Sequence, residues 1–279
     1  MQRSFGSDVA LIIIKASVVL LSIGALVIIT VAFFEVGTGV SDGTCNVAVL
    51  PVEGEIWPFY GMSYTPLIVT PEMVETSMDA IEDDETIKAV LVEINSPGGL
   101  PVASERIASR LRNSPLPTVG LIGDIGASGG YMIAAATDYL IASPMSIVGS
   151  IGVTMSYVEQ SKQNEEDGLT YVELNTGKFK DSGSPDKPLS DEERELFQRD
   201  LDDLYETFIQ MVSDYRTIPL EKVRELADGS TLNGVRAKEA GLTDEVGGRL
   251  EAKVALAKIL NLETDEVVFC EYTSPLLPF

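Results

Sequence analysis

The amino-acid sequence predicts an α/β domain with a largely parallel sheet and flanking helices, preceded by one N-terminal transmembrane helix. Residues 89–94 (AVLVEI) form a nearly continuous apolar run, which is typical of a parallel strand buried on both faces. From this strand onward, strand-like and helix-like segments alternate, as they do in α/β folds. Residues 16–34 contain no charged side chain, and a helix of that length matches the roughly 30 Å hydrocarbon core of a membrane.

The individual elements follow from local patterns. Pro71 suits the first position of a helix, and Ser190 with Glu193 forms a capping box that predicts the start of a long amphipathic helix. Strands are predicted at 46–52, 89–94, 118–123, 139–142, 151–156 and 266–272. Helices are predicted at 71–82, 101–112, 128–137, 190–216, 219–227, 234–240 and 249–260. Residues 57–70 are predicted to form a loop, and residues 95–99 (NSPGG) a turn.

Charged residues around the apolar N-terminal segment predict its orientation. Arg3 and Lys15 precede the core of this segment and Glu35 and Asp42 follow it, so we expect a cytoplasmic N-terminus and an extracytoplasmic domain. The apolar stretch is longer than that of a cleaved signal peptide, which favours an uncleaved, single-pass anchor in the cell membrane. The predicted organisation is a cytoplasmic tail (1–8), an anchor (9–34), a linker (35–45), a folded domain (46–272) and a C-terminal tail (273–279).

Composition excludes several classes of function. The formal net charge is −23, from 43 acidic and 20 basic side chains, and such a surface repels nucleic acids. The sequence contains no histidine, which excludes the Ser-His-Asp triad, the Cys-His dyad and every histidine-ligated metal site. We therefore expect neither a metal nor a cofactor. Cys45 and Cys270 could form a disulfide outside the cytoplasm, but the sequence does not give their separation, and two buried free thiols are the favoured interpretation.

A glycine-rich pentapeptide, residues 126–130 (GASGG), lies between a predicted strand and a predicted helix. Tight glycine turns let a serine protrude, and a helix N-terminus favours developing negative charge. Ser128 is therefore a candidate nucleophile, although a turn of small residues that only packs a helix onto the sheet would have the same composition.

A second glycine turn could complete a site for acyl transfer. Gly98 and Gly99 end the strand that precedes the one leading to Ser128, and parallel strands meet at their carboxyl ends at one edge of the sheet. The N–H group of Gly98 or Gly99, together with that of Gly129, could then form an oxyanion hole. An ordinary Pro-Gly-Gly turn is the alternative interpretation.

Without histidine, the base that activates Ser128 must be a lysine, a carboxylate or a tyrosine. A free lysine is uncharged about once in 2,500 molecules at pH 7, and burial can lower a lysine pKa by the ~3 units that this chemistry needs. Sequence context leaves Lys178, Lys180 and Lys187 as candidates, and spacing alone does not separate them.

Taken together, the motifs resemble the signal peptide peptidase A family, whose members are Ser/Lys peptidases with a fold similar to the ClpP and crotonase group. The motifs that carry this resemblance are residues 95–99 (NSPGG), 123–131 (GDIGASGGY), 148–153 (VGSIGV), 177–181 (GKFKD) and 227–229 (ADG). The resemblance implies that Ser128 is the nucleophile, that Lys180 is the general base and that Ser150 hydrogen-bonds the lysine amine. It also implies that Gly98 or Gly99 and Gly129 donate to the oxyanion. Met132 departs from the second aromatic residue that relatives often have, which leaves details of the substrate pocket open.

The same resemblance implies partners. Substrates would be apolar peptides near the membrane, such as released signal peptides, and short chains of this kind assemble into homo-oligomeric rings in which neighbouring subunits complete the site. Two other classes of function remain open: a catalytically silent membrane scaffold of the same fold, and a crotonase-like enzyme that acts on acyl thioesters.

Overall fold

The computed structural model describes residues 43–59 and 67–271. Its strands are β1 (Val47–Ile56), β2 (Ile68–Val69), β3 (Ala89–Gly99), β4 (Thr118–Ala127), β5 (Tyr139–Ala142), β6 (Ile147–Gly149), β7 (Thr231–Asn233), β8 (Glu245–Val246) and β9 (Phe269–Glu271). Its helices are α1 (Pro71–Asp83), α2 (Pro101–Arg112), α3 (Gly129–Ala135), α4 (Ser161–Glu166), α5 (Asp191–Arg216), α6 (Leu220–Leu226), α7 (Gly234–Ala240) and α8 (Arg249–Leu260). The predicted anchor at 9–34 and the tail at 273–279 lie outside the described residues. Within the described part of the chain, no helix is long and apolar enough to cross a membrane.

One sheet of mostly parallel strands organises the fold. Its main strand order is β2-β1-β3-β4-β5-β8, with β9 also paired to β1 and β6 also paired to β4. The pairing of β6 with β7 is antiparallel, and the other pairings are parallel. The predicted α/β class with a largely parallel sheet and flanking helices is therefore confirmed.

Apolar side chains cover both faces of the sheet, as a parallel sheet requires. One face packs against α1, α2 and α3 through residues such as Ile81 and Ile107, and α5 packs onto α3 with Ile209 in the same core. The other packs against α8 through Ala252 and Leu256. The helix that follows Ser128 is wholly buried, so its first residues are fixed by the core.

Several predicted elements were wrong: β1 runs beyond the predicted end at 52 to Ile56, and the predicted loop at 57–70 contains β2. Residues 95–99, predicted as a turn, continue β3 to Gly99, and β4 continues to Ala127, because both strands keep pairing after a shift of register. The predicted strand at 151–156 does not form. The strand in this region is instead β6 (Ile147–Gly149). Its pairing with β4 ends at Gly149, so Ser150 and the residues just after it lie outside the strand.

The expectation of free thiols was also wrong, because Cys45 and Cys270 form a disulfide. Strand β9 runs parallel to β1 and pairs Ala48 with Cys270, which brings the two cysteine Cα atoms to 5.2 Å. That separation lies within the range that a disulfide spans. The bridge joins the start of the domain to its last strand across 225 positions of sequence.

Candidate active site

Ser128 lies between the end of β4 and the first residue of α3, in a conformation that non-glycine residues seldom adopt. Its φ is 53° and its ψ is −125°, and backbone strain of this kind costs on the order of 1–3 kcal/mol. Hydrogen bonds hold it there: the Ser128 N–H donates to the Gly149 oxygen (2.8 Å), and the Ser128 oxygen accepts from the Tyr131 N–H (2.9 Å). The hydroxyl is thereby presented, partly exposed, at the N-terminus of a buried helix.

The two glycine turns predicted to meet at the sheet edge do meet. A Cβ atom added to Gly98 would lie 2.7 Å from the Gly129 nitrogen and 2.8 Å from the Ser128 Cβ. A Cβ atom added to Gly129 would lie 3.3 Å from the Gly99 nitrogen. Gly98 also has a φ of +102°, which favours glycine. Gly98 therefore needs to be glycine because the backbone of Gly129 approaches so closely, and Gly129 because a Cβ there would also lie 2.2 Å from the Ser104 Oγ.

The directions of the N–H groups distinguish Gly98 from Gly99. The Leu100 N–H donates to the Ile56 oxygen of β1 (2.9 Å). Because successive peptide N–H groups of a strand point to opposite edges, the Gly99 N–H points away from β1, toward the side where Ser128 lies. The Gly98 N–H is engaged by the Ser96 Oγ at 3.2 Å. The Gly129 N–H is the first of α3 and has no acceptor within the helix.

A cavity of about 530 Å³ opens beside Ser128. Gly99, Gly129 and Ser150 line it, and so does an apolar set that includes Leu100, Met132, Val153, Leu204 and Phe208. Of the described residues that line this cavity, Asp228 alone is charged. The lining by α5 was not predicted, although the amphipathic pattern of that helix indicated an apolar face.

Ser150, like Ser128, has a positive φ. Its φ is 50°, and its N–H donates to the Ser230 oxygen at 2.9 Å. Its hydroxyl donates to the Gly229 oxygen at 3.2 Å, which leaves the oxygen lone pairs of Ser150 available to accept a hydrogen bond in the cavity.

Lys180 is not brought to Ser128 within the chain. It lies on segment 151–190, which is largely exposed from Thr154 onward, its backbone N–H donates to the Gly177 oxygen (3.1 Å), and it does not line the cavity. Among the described residues its ammonium has no ion-pair partner. The structure therefore places the predicted nucleophile, Ser150, Gly99 and Gly129 together, and the predicted base apart from them.

The other two candidate lysines are held by carboxylates. Lys178 lies 2.6 Å from Glu192. Lys187 lies 3.1 Å from Glu193, 3.2 Å from Glu173 and 3.4 Å from Asp181. Hydrogen bonding to Glu193 is the main reason that the pKa of Lys187 is raised above its ordinary value. A carboxylate partner favours the charged amine, so these contacts disfavour Lys187 as a general base.

Segment 151–190 also exposes apolar side chains. Leu174 is 92% exposed and Val158 81%, and Leu169, Val172 and Phe179 are exposed as well. Several exposed apolar residues in one segment are typical of a surface that another protein covers.

Fold and site define a class of protein: an α/β domain that presents a serine on a strained turn, beside glycine N–H groups and an apolar cavity. Comparison with known proteins identifies the family. The model of peptidase family S49 matches residues 110–263, which is more than half of the chain. The chain belongs to this peptidase family, and the resemblance to signal peptide peptidase A proteins, in their short form, is confirmed.

Two curated relatives show the extent of the similarity. The putative protease MJ0651 of Methanocaldococcus jannaschii is 36% identical over 68% of this chain and 62% of its own length. The chloroplastic serine protease SPPA of Arabidopsis thaliana is 30% identical over 79% of this chain and 33% of its own length. The chain thus spans less than two thirds of either relative. Among solved structures, a mutant of ClpP1 from Listeria monocytogenes aligns with a TM-score of 0.48 and 15% identity over 72% of this chain and 91% of that chain.

Proposed function

We propose that the chain is a membrane-anchored serine endopeptidase that uses Ser128 and Lys180 to hydrolyse apolar peptides, such as released signal peptides. The observation that carries the proposal is the strained placement of Ser128 at an apolar cavity that Gly99 and Gly129 also line, where the two glycine turns lie against each other. Membership of a peptidase family gives the class of reaction.

The mechanism is acyl transfer in two halves. The uncharged amine of Lys180 takes the proton of the Ser128 hydroxyl while Oγ bonds to the peptide carbonyl carbon, and the electron pair of the C=O bond moves to oxygen. The Gly99 and Gly129 N–H groups stabilise this oxyanion. When the oxyanion collapses, the C–N bond breaks, and the lysine ammonium gives its proton to the leaving amine. Water then repeats the attack on the acyl-enzyme: Lys180 takes a proton from water and returns it to Ser128.

The choice of Lys180 rests on what surrounds each candidate. A general base must be uncharged, and a neighbouring carboxylate stabilises the charged form of a lysine. Lys178 and Lys187 form ion pairs with carboxylates, whereas Lys180 forms none among the described residues. This contrast supports the assignment that the family resemblance implies.

A second copy of the chain supplies Lys180 in this proposal. The lysine lies outside the cavity of its own subunit, on the exposed part of segment 151–190, which presents apolar side chains that a neighbouring subunit would cover. A homo-oligomeric ring would place this exposed part of one subunit at the cavity of the next. Docking would also remove water from the lysine, which favours its uncharged form.

The proposed location is the outer side of the cell membrane, with the N-terminus in the cytoplasm. Arg3 and Lys15 precede the uncharged segment 16–34, and acidic residues follow it. The disulfide between Cys45 and Cys270 supports this orientation, because disulfides persist in oxidising compartments.

Labelling with a fluorophosphonate probe tests the proposed function. An activated serine reacts with the probe, so intact-mass analysis of the full-length chain should show one adduct, mapped to Ser128, and none in Ser128→Ala. A folded wild-type chain that takes up no adduct would support the scaffold interpretation instead. An acyl-thioester enzyme would consume a coenzyme A thioester without cleaving peptides.

A further inference from the structure

The turn that presents the Gly99 N–H is fixed by a serine that takes no part in the chemistry. Ser96 is fully buried, with 0% of its surface exposed. Its hydroxyl donates to the Gly54 oxygen of β1 at 2.6 Å and accepts from the Gly98 N–H at 3.2 Å. One side chain therefore ties the Pro97–Gly98 peptide to the neighbouring strand.

The strand pairing explains why a side chain is needed at this point. Strand β1 pairs Glu53 with Asn95 and then Glu55 with Gly98, so the register shifts opposite Gly54. On the other edge of β3, the register shifts between Ile94 and Ser96. A ladder that shifts leaves backbone groups without their regular partners, and buried groups of that kind must find others. The Ser96 hydroxyl satisfies one carbonyl and one N–H at this break.

The same contact limits how the peptide between Gly98 and Gly99 can turn. Glycine at 98 gives the backbone wide freedom. The peptide before it is held by Ser96, and the peptide after Gly99 is held by the bond from the Leu100 N–H to the Ile56 oxygen. The peptide that bears the Gly99 N–H therefore lies between two anchored peptides.

We propose that Ser96 is a positioning residue, whose hydroxyl holds the Gly99 N–H in the direction that the oxyanion of the acyl-transfer step requires. This inference rests on the proposed function, because it assigns a role within the same site. Loss of the hydroxyl would leave substrate contacts in the cavity unchanged and would weaken only the interaction that forms as charge develops on the carbonyl oxygen.

A transition-state analogue tests this role. In a peptide aldehyde, the Ser128 Oγ bonds to the aldehyde carbon, the C=O electron pair moves to oxygen, and the serine proton passes to the lysine. The corresponding peptide alcohol binds the same cavity but forms no such bond. The variant is Ser96→Ala in the full-length chain. The measurements are kcat/KM for an apolar tripeptide coumarin amide and KI for a peptidyl leucinal and its leucinol.

The matched control is Ser146→Ala. Ser146 is also a buried serine, just before β6, its hydroxyl lies 2.5 Å from the Gly123 oxygen and 3.1 Å from the Ile122 oxygen, and it does not line the cavity. Both variants lose a buried hydrogen bond to a backbone carbonyl. A similar fall in Tm is expected in both, and the catalytic effect in Ser96→Ala alone.

Ser96→Ala should lower kcat/KM by about 10- to 100-fold, less than the roughly 100- to 1,000-fold of losing an oxyanion donor outright. The KI of the aldehyde should rise by the same factor, and the KI of the alcohol should stay unchanged. If Ser96→Ala does not fold, Ser96→Cys takes its place, because cysteine keeps the shape of serine and weakens the hydrogen bond. The same pattern is expected: a lower kcat/KM, a higher KI for the aldehyde and an unchanged KI for the alcohol.

If Ser96→Ala raises the KI of the aldehyde and of the alcohol equally, or changes neither, the role of Ser96 is overturned and the peptidase proposal stays intact. The proposed function itself fails if the wild-type chain does not cleave the amide and binds the aldehyde no more tightly than the alcohol. In that case the role of Ser96 is overturned as well.

Discussion

The ammonium of Lys187 lies 3.1 Å from the buried carboxylate of Glu193, the residue that closes the capping box at the start of α5. Tyr171 donates to Asp181 at 2.7 Å, and Asp181 is a further partner of Lys187. This cluster ties segment 171–187 to the long helix. It also commits one candidate base to a structural role.

Acid should weaken this cluster. The backbone N–H of Ser190 and then Lys187 hold the pKa of Glu193 at about 2, against an ordinary value of 4.5. A carboxylate with a lowered folded-state pKa adds stability above its unfolded pKa, and that stability is lost as the pH falls through 4.5 toward 2. We expect the Tm of the wild type to fall more steeply than that of Glu193→Gln across this window, as measured by differential scanning calorimetry. Parallel curves would contradict the assignment.

Gly98→Ala should abolish cleavage, because a Cβ at this position would lie 2.7 Å from the Gly129 nitrogen. Gly168→Ala is the matched control: Gly168 also has a positive φ, of +73°, but a Cβ there meets nothing within 4 Å. The control should lose only about 1–2 kcal/mol of stability, the cost of a left-handed alanine. Amide hydrolysis measures the activity of the two variants, and chemical denaturation measures their stability. Equal activity would refute the close approach of the turns.

Mixing two inactive variants tests whether neighbouring subunits share the site. Ser128→Ala keeps Lys180, and Lys180→Ala keeps Ser128, so a mixed oligomer contains some sites with both groups. If the lysine comes from the next subunit, unfolding and refolding the variants together should restore up to about a quarter of wild-type hydrolysis, the statistical share of sites with both groups at an equal mixture. Each variant refolded alone is the control. If the mixture is as inactive as the two controls, Ser128 and Lys180 act within one subunit, and the proposal of a shared site is contradicted.

Removal of the disulfide should destabilise the domain without changing the site. Cys45 and Cys270 close a loop of 225 positions, for which loop-closure entropy corresponds to about 5 kcal/mol. The double variant Cys45→Ser/Cys270→Ser should therefore unfold at lower denaturant concentration while kcat/KM stays near the wild-type value. Reduced wild type is the control for the serine side chains. Unchanged denaturation midpoints would show that the bridge adds no stability.

Sequence alone predicted the fold class, because residues 89–94 have the apolar pattern of a buried parallel strand and capping signals mark Pro71 and Ser190. It also predicted that the turns at Gly98 and Ser128 would meet, which follows from parallel pairing. It did not predict that β3 extends to Gly99, because shifted registers and the Ser96 bond hold that segment. The disulfide was missed because no local pattern reports the approach of β9 to β1.

The most direct test of the account is the rate of cleavage of an apolar fluorogenic peptide by Lys180→Ala and Lys178→Ala, with Ser128→Ala as the reference for complete loss. The Lys180 and Lys178 side chains are two positions apart on the same exposed turn, and in the structure Lys178 has a carboxylate partner, Glu192. We predict that Lys180→Ala falls to the level of Ser128→Ala, since the serine loses its base, and that Lys178→Ala retains wild-type activity. Full activity in Lys180→Ala would contradict the proposed dyad.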